Sequence, residues 1–460
     1  MIRHGPYSIK IQNDVLEVYT NDWTNMEKPF EKFASKLHKI RIMDLVGYFL
    51  DFLPTDNLED LSIILRREFE DEFKNCPQNS HMDKVLANSP KLKSLELNNV
   101  PVTELSSIGG METLKALYID AVELPRLSFD KKKLRNLETL GMVYEQVDST
   151  ANLIEIIRTC KKIHSVKFGS CDTSYDIILN EMISLPNLRR VCLENDPCES
   201  WYKFSNLESI HMMFSTPVSV TRYQLETLRL LLEFLPTENL ENLSVHLLES
   251  EYRVYLPEWN HLMGNILSKT PKLKALELNY LPISELSSIG GMGTLETLFI
   301  QTTDLPRLNF DINELRNLKT LSLFCPGYNI PDITKLMKKC RKIHTLRIIS
   351  MCRLPEDTMN EMISLPNLRR LHLFKTSNSC DWDKFSNLEE IRISHNECYP
   401  KSRDQIISFL QRSKNLKYFD LHSWRHRDFN RVIRKIIRDI GFEYNEHRRE
   451  AWIDFPGMSK

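Results

Sequence analysis

The sequence predicts an α/β solenoid with a curved parallel inner sheet, one strand per repeat, and helices and loops on the convex side. Three observations predict it. The segment EMISLPNLRR stands at residues 181–190 and again at 361–370, each time joining a helical pattern to a short strand. A seed of the form L-x-x-L-x-L recurs along most of the chain, mostly at intervals of about 20 to 26 residues. Between seeds, apolar residues recur at helical spacing. In such a seed the last two apolar residues share one face of a strand and the residue between them points to the other. One strand cannot bury that face alone, so the strands must stack and share a core.

The elements follow in chain order. Residues 1–35 read as an irregular lead-in or cap, with a strand around Val15 to Tyr19. Leu37-Ile40-Ile42 resembles the last seed of a set. A first set of seeds then starts at Leu58, Leu92, Leu114, Leu137, Ile163, Leu188 and Leu207. A second starts at Leu240, Leu273, Leu295, Leu318, Ile343, Leu368 and Leu388. The sets correspond at an offset of about 180 residues, with LSSIGGMETLKALYI (105–119) answered by LSSIGGMGTLETLFI (286–300), which reads as an internal duplication. Returning helices are expected at 82–89, 153–160, 177–184, 261–268, 333–340 and 358–364. One more seed, Leu416-Phe419-Leu421, closes the array. The amphipathic stretch 425–444, with Gly441 as its stop, reads as a helix capping the open end; a basic amphipathic helix can also touch a membrane or an acidic partner. The expected organisation is 1–35 lead-in, 36–215 first copy, 216–396 second copy, and 397–460 last repeat and capping helix.

Composition narrows the function. The 460 residues carry 61 Lys and Arg against 62 Asp and Glu, a net charge of -1, so neither nucleic acid nor an anionic membrane surface is expected as partner. With only 13 glycines there is little material for phosphate loops. Ten scattered cysteines form no CxxC pair, and several occupy apolar slots, which fits reduced thiols in an intracellular compartment, cytoplasmic or nuclear. No apolar run approaches the ~18 residues of a membrane helix.

The array resembles the leucine-rich repeat family over about residues 36 to 423. It departs at the ninth repeat position, where that family places Asn or Cys. Cys171 and Asn396 comply, but Val100, Asp196, Ser215, Met351 and Thr376 do not. The helix-rich, irregular repeats look closest to the intracellular type of F-box proteins and ribonuclease inhibitors. The resemblance implies a monomeric, protein-binding array, of the kind that presents substrates to a ubiquitin ligase. The alternative is an inhibitor or scaffold acting by stoichiometric occupancy. Leu53-Pro54 followed by Leu58, Leu61 and Leu65 has F-box spacing, but Leu235-Pro236, Leu240, Leu243 and Leu247 repeat it, so both read as repeats. Skp1–cullin partners would then require an F-box upstream of Met1.

Candidate binding residues are those between the final two apolar positions of each seed, facing out of the inner sheet: Glu96, Tyr118, Lys167, His211, Glu277, Phe299, Arg347, His372 and Arg392, with Arg190 and Arg370 beside them. Arg347, Arg370, His372 and Arg392 gather positive charge that suits an acidic segment or a phosphate, although any strand must show something polar to water. Two seed intervals are longer than the rest. Their surplus, RREFEDEFKNCPQN and ESEYRVYLPEWN, reads either as contact-making edge loops carrying Phe69, Phe73, Tyr252, Tyr255 and Trp259, or as a longer helix with a lead-in turn. No GxGxxG, GxxxxGK[ST], HExxH or GxSxG occurs, and no Cys/His set has zinc spacing, so no catalysis, metal or cofactor is expected. His164 and His344 occupy the same slot of two repeats, which argues for a repeat position over a catalytic base.

Overall fold

Alternating leucines become strands with one buried face. Apart from isolated positions, the computed structural model describes residues 2–4, 7–12, 15–19, 38–43, 53–65, 79–126, 134–146, 150–170, 175–195, 204–214, 229–247, 257–302, 315–325, 330–350, 354–373, 382–395 and 408–423. The chain forms two compact units, Met1–Leu240 and Glu241–Lys460. The expected boundary at 215/216 and the capping helix at 425–444 lie outside the described residues.

The first unit begins with β1 (Ile2–His4), β2 (Tyr7–Gln12) and β3 (Val15–Tyr19), joined by antiparallel pairings. The described part of the lead-in, within residues 2–19, is thus a small meander containing the expected strand. From β3 onward every pairing is parallel: β4 (Lys39–Met43), β5 (Asp60–Ile64), β6 (Ser94–Asn98), β7 (Ala116–Glu123), β8 (Thr139–Gln146), β9 (Ser165–Ser170), β10 (Arg190–Asn195) and β11 (Ser209–Phe214). The second unit is parallel throughout, from β12 (Asn242–Leu247) through β13 (Ala275–Asn279), β14 (Thr297–Gln301), β15 (Thr320–Cys325), β16 (Thr345–Ser350), β17 (Arg370–Leu373) and β18 (Glu390–His395) to β19 (Tyr418–Ser423). Both Leu-Pro segments lead into strands, β5 and β12, as the repeat reading requires.

Returning helices are α1 (Asn79–Ala87), α2 (Thr150–Thr159) and α3 (Tyr175–Ile183) in the first unit, and α4 (Pro257–Ser268), α5 (Ile330–Lys339) and α6 (Glu356–Ile363) in the second. Each starts two to four residues before the expected position, because the residues of the first turn do not keep the apolar period of the turns that follow. Leu153, Ile156, Ile157 and Cys160 of the α2 repeat are buried, as are Ile333, Leu336, Met337 and Cys340 of the α5 repeat. Strand leucines such as Leu95, Leu117, Leu276 and Leu298 are at most 1% exposed, so the core lies between the leucine face of each sheet and the helices. Each such side chain contributes about 1.5–3 kcal/mol. Cys160 and Cys340 are free thiols in this core, and burial pushes both up to about 12.

Two ladders tie successive repeats. The first strand residue and its predecessor both donate to one carbonyl of the preceding repeat, as Lys115 and Ala116 do to Lys93, and Glu296 and Thr297 to Lys274. In several repeats an Asn or Thr before the seed sends its side chain the same way. Asn136 reaches the Glu112 carbonyl, Asn187 that of Lys161, Asn317 that of Gly293 and Asn367 that of Arg341; Thr113 and Thr294 do likewise to Leu92 and Leu273. An asparagine ladder expected to be mostly absent at the ninth position is therefore supplied from another one.

Candidate functional site

The strand face opposite the leucines is half-exposed, and strict register lines its side chains into rows. In the first unit Ser62, Glu96, Tyr118, Gly141, Lys167, Cys192 and His211 stand side by side on β5 to β11. Ser62 Oγ donates to Glu96 at 2.6 Å. A Cβ on Gly141 would fall 2.1 Å from Tyr118 Cδ2, so the tyrosine ring lies across the glycine. This brings Tyr118 Oη to 2.9 Å from Lys167 Nζ, which also ion-pairs with Glu194 at 2.7 Å. Burial raises the Tyr118 phenol above its ordinary pKa more than Lys167 lowers it. Burial also opposes the Lys167 ammonium, yet Tyr118 and Glu194 outweigh it and hold Lys167 above the usual lysine value. Cys192 is 9% exposed beside this group, its thiol pushed up to about 12 by burial. The first unit's face is knitted to itself from β7 to β10.

In the second unit the row reads Ser244, Glu277, Phe299, Ser322, Arg347, His372 and Arg392 on β12 to β18. Ser244 Oγ donates to Glu277 at 2.9 Å, repeating the Ser62–Glu96 bond. His246, 6% exposed, joins them with Nε2 2.7 Å from Ser244 Oγ, and Asn279 Nδ2 lies 2.6 Å from His246 Nδ1. Asn279 Nδ2 also lies 3.1 Å from His246 Nε2, and Glu277 Oε1 lies 3.3 Å from the same nitrogen. The cluster is a hydrogen-bonded brace.

The basic run converges on Glu390. His372 Nε2 is 3.1 Å away, Arg392 Nε 2.8 Å and Arg370 Nε 3.7 Å. Burial would raise this carboxyl, but His372 and Arg392 overcome it and hold Glu390 down at about 2. The Arg392 guanidinium also lies 4.9 Å from the centre of the Tyr418 ring.

The structure thus places Glu96, Tyr118, Lys167 and His211 on one face, with exposed Arg190 at the start of β10, and Glu277, Phe299, Arg347, Arg370, His372 and Arg392 on the other. Phe69, Phe73, Tyr252 and Tyr255 lie outside the described residues. Trp259 corrects the edge-loop expectation: it sits in the first turn of α4 and is 1% exposed. Its segment is charged, but Pro257 opens a helix there and turns the indole into the core. Glu181 and Glu361 of the repeated segment pair with Arg158 and Arg341 of the preceding repeats. Glu194, His246, Asn279 and Glu390 stand two residues from the central position of their seeds, where the strand returns to the same face, and the seed pattern does not mark them.

No family profile matches this chain, and no match is found among curated proteins. Solved structures do match. An internalin of Listeria monocytogenes is 14% identical, covering 88% of this chain and 89% of its own, with a TM-score of 0.34. Toll, in the Drosophila Toll–Spatzle complex, is 12% identical over 91% of this chain with a TM-score of 0.41, and this chain spans 55% of it. The plant peptide hormone receptor RGFR1, in complex with RGF2, is 14% identical over 85% of this chain and 68% of its own, with a TM-score of 0.32. The fold assignment rests on this chain's own register. Parallel strands carrying L-x-x-L-x-L seeds, with helical returns between them, make it a leucine-rich repeat α/β solenoid.

Proposed function

We propose that the chain is a non-catalytic protein-binding array whose open sheet faces hold the partner. The observation that carries this is the rows themselves, in which charged, aromatic and hydroxyl side chains stand about 4.8 Å apart on a rigid backbone. The finer proposal is a substrate-recognition role in an F-box-type ubiquitin ligase system, inside the cell. It is supported by the resemblance of the repeats and by the free thiols Cys160, Cys192 and Cys340.

Crosslinking mass spectrometry of the tagged chain in its native cells tests both levels. Crosslinks from one stoichiometric partner to Lys167 or its row-mates are the expected result. Crosslinks confined to the helices would overturn the binding reading. Absence of Skp1–cullin components would overturn the ligase role and leave stoichiometric occupancy.

A further inference from the structure

One side chain separates the two copies at a matching pair of strands. In both units a serine donates to a glutamate on the next strand, Ser62 to Glu96 and Ser244 to Glu277. Two residues along, the first unit sets Ile64 beside Asn98, whereas the second sets His246 beside Asn279. His246 and Asn279 are 6% and 5% exposed. The imidazole Nε2 stands 3.3 Å from Glu277 Oε1. Two ligand atoms each about 2.0–2.1 Å from one tetrahedral ion lie about 3.3 Å apart. An imidazole nitrogen and a carboxylate oxygen are ligand types that zinc accepts.

Each of these two groups also has an outer partner, which is what fixes the ligands of a metal site. Ser244 Oγ holds Glu277 Oε2 at 2.9 Å, which leaves Oε1 as the oxygen beside the imidazole. The Asn279 amide lies 2.6 Å from His246 Nδ1, and its buried Oδ1 has no hydrogen-bond partner among the described residues. A half-turn of that amide exchanges its oxygen and nitrogen. Oδ1 then accepts the Nδ1 proton, and the Nε2 lone pair is left for an ion. The 2.7 Å contact of Ser244 with Nε2 gives way to the ion, while the Ser244 bond to Oε2 is kept. The Glu277 side chain is 14% exposed, so the pair is reached from the open face.

We propose that His246 Nε2 and Glu277 Oε1 ligate one divalent cation of the zinc type. Ser244 and Asn279 are their outer partners, and water from the open face completes the coordination. The ion adds a side-chain clip to the backbone pairing of β12 and β13. The first unit lacks this site, because Ile64 offers no ligand atom where His246 does. Whether the open face also binds protein does not enter the argument.

The test is equilibrium dialysis of the full, chelator-treated chain against Zn²⁺ in excess Mg²⁺. Saturable uptake of one Zn²⁺ that Mg²⁺ does not displace is expected. His246→Ala and Glu277→Gln should each weaken it by at least about tenfold, and Asn279→Ala by about tenfold. Glu96→Gln on the first unit should leave it unchanged. Zn²⁺ should also raise the urea midpoint of the parent and of Glu96→Gln, but not that of His246→Ala. Circular dichroism verifies that each variant folds, and Glu277→Gln decides if His246→Ala does not. No uptake overturns the proposal. So does an ion held at full affinity by both His246→Ala and Glu277→Gln, which places the metal elsewhere in the chain. Equal weakening by Glu96→Gln overturns the assignment to the second unit.

Discussion

Gly141→Ala should be among the most damaging single-methyl additions on the first unit's open face. The new Cβ would stand 2.1 Å from Tyr118 Cδ2 and 2.9 Å from Cε2. Ordinary contact begins near 3.4 Å, so the ring must move by more than 1 Å. That motion carries Oη away from Lys167, now 2.9 Å off, and leaves the lysine with Glu194. Overpacking costs about 1–3 kcal/mol and a lost bond to a charged group roughly another 1 kcal/mol, giving about 2–3 kcal/mol after partial relaxation. With Tyr118→Ala the space opens. There the same alanine should be neutral or stabilise by up to about 1 kcal/mol, since glycine weakens a strand interior. Urea denaturation of the four proteins at pH 7 closes the double-mutant cycle, with an expected coupling of about 2–4 kcal/mol. Equal costs in both backgrounds would refute the argument that the ring occupies the glycine's space.

Two further predictions concern the second unit. Glu390 is held at about 2 in the folded chain, below its ordinary value, so its contribution is present above about pH 4.5 and is lost as pH falls toward 2. Solvent screening reduces that contribution to about 1–2 kcal/mol. Glu390→Gln should therefore flatten the urea midpoint between pH 6 and pH 3 relative to the parent, and an unchanged slope would show that His372 and Arg392 do not hold the carboxylate. Asn317 donates to the Gly293 carbonyl at 2.7 Å and accepts from Lys342 at 2.8 Å. Asn317→Ala should cost about 1 kcal/mol and speed hydrogen exchange at Glu296 and Thr297, with β18 unaffected; uniform or absent change would count against local coupling.

The core was legible because burial imposes a period, and Leu58, Leu92, Leu114 and their successors keep it. The helices were legible for the same reason, but their starts were not, since first-turn residues do not keep the apolar period. The charged surroundings of Trp259 suggest a surface loop, whereas Pro257 starts a helix that buries the indole. The central rows of the open faces could be read from the seeds. Which members touch could not: Ser62 and Glu96 are 34 residues apart, and only register makes them neighbours. The compensation of the basic run by Glu390 was missed for a related reason, as this acid stands at the strand's first position and not at its centre. The Asn and Thr ladder was visible all along in the recurring N-L and T-L pairs, but its partner is a backbone carbonyl, which leaves no trace in sequence.

That ladder also sets how damage spreads. Each Asn or Thr rung joins a repeat to the one before it, so within a unit the coupling is between nearest neighbours. When one repeat melts, the cost is one broken junction wherever in the unit the boundary falls. An unfolding front can therefore pause at any rung, and a single weak junction decides where it pauses. The array behaves like a zipper whose teeth are side-chain amides, so changing one tooth should move the resting place of the front without altering what the remaining closed faces present to solvent.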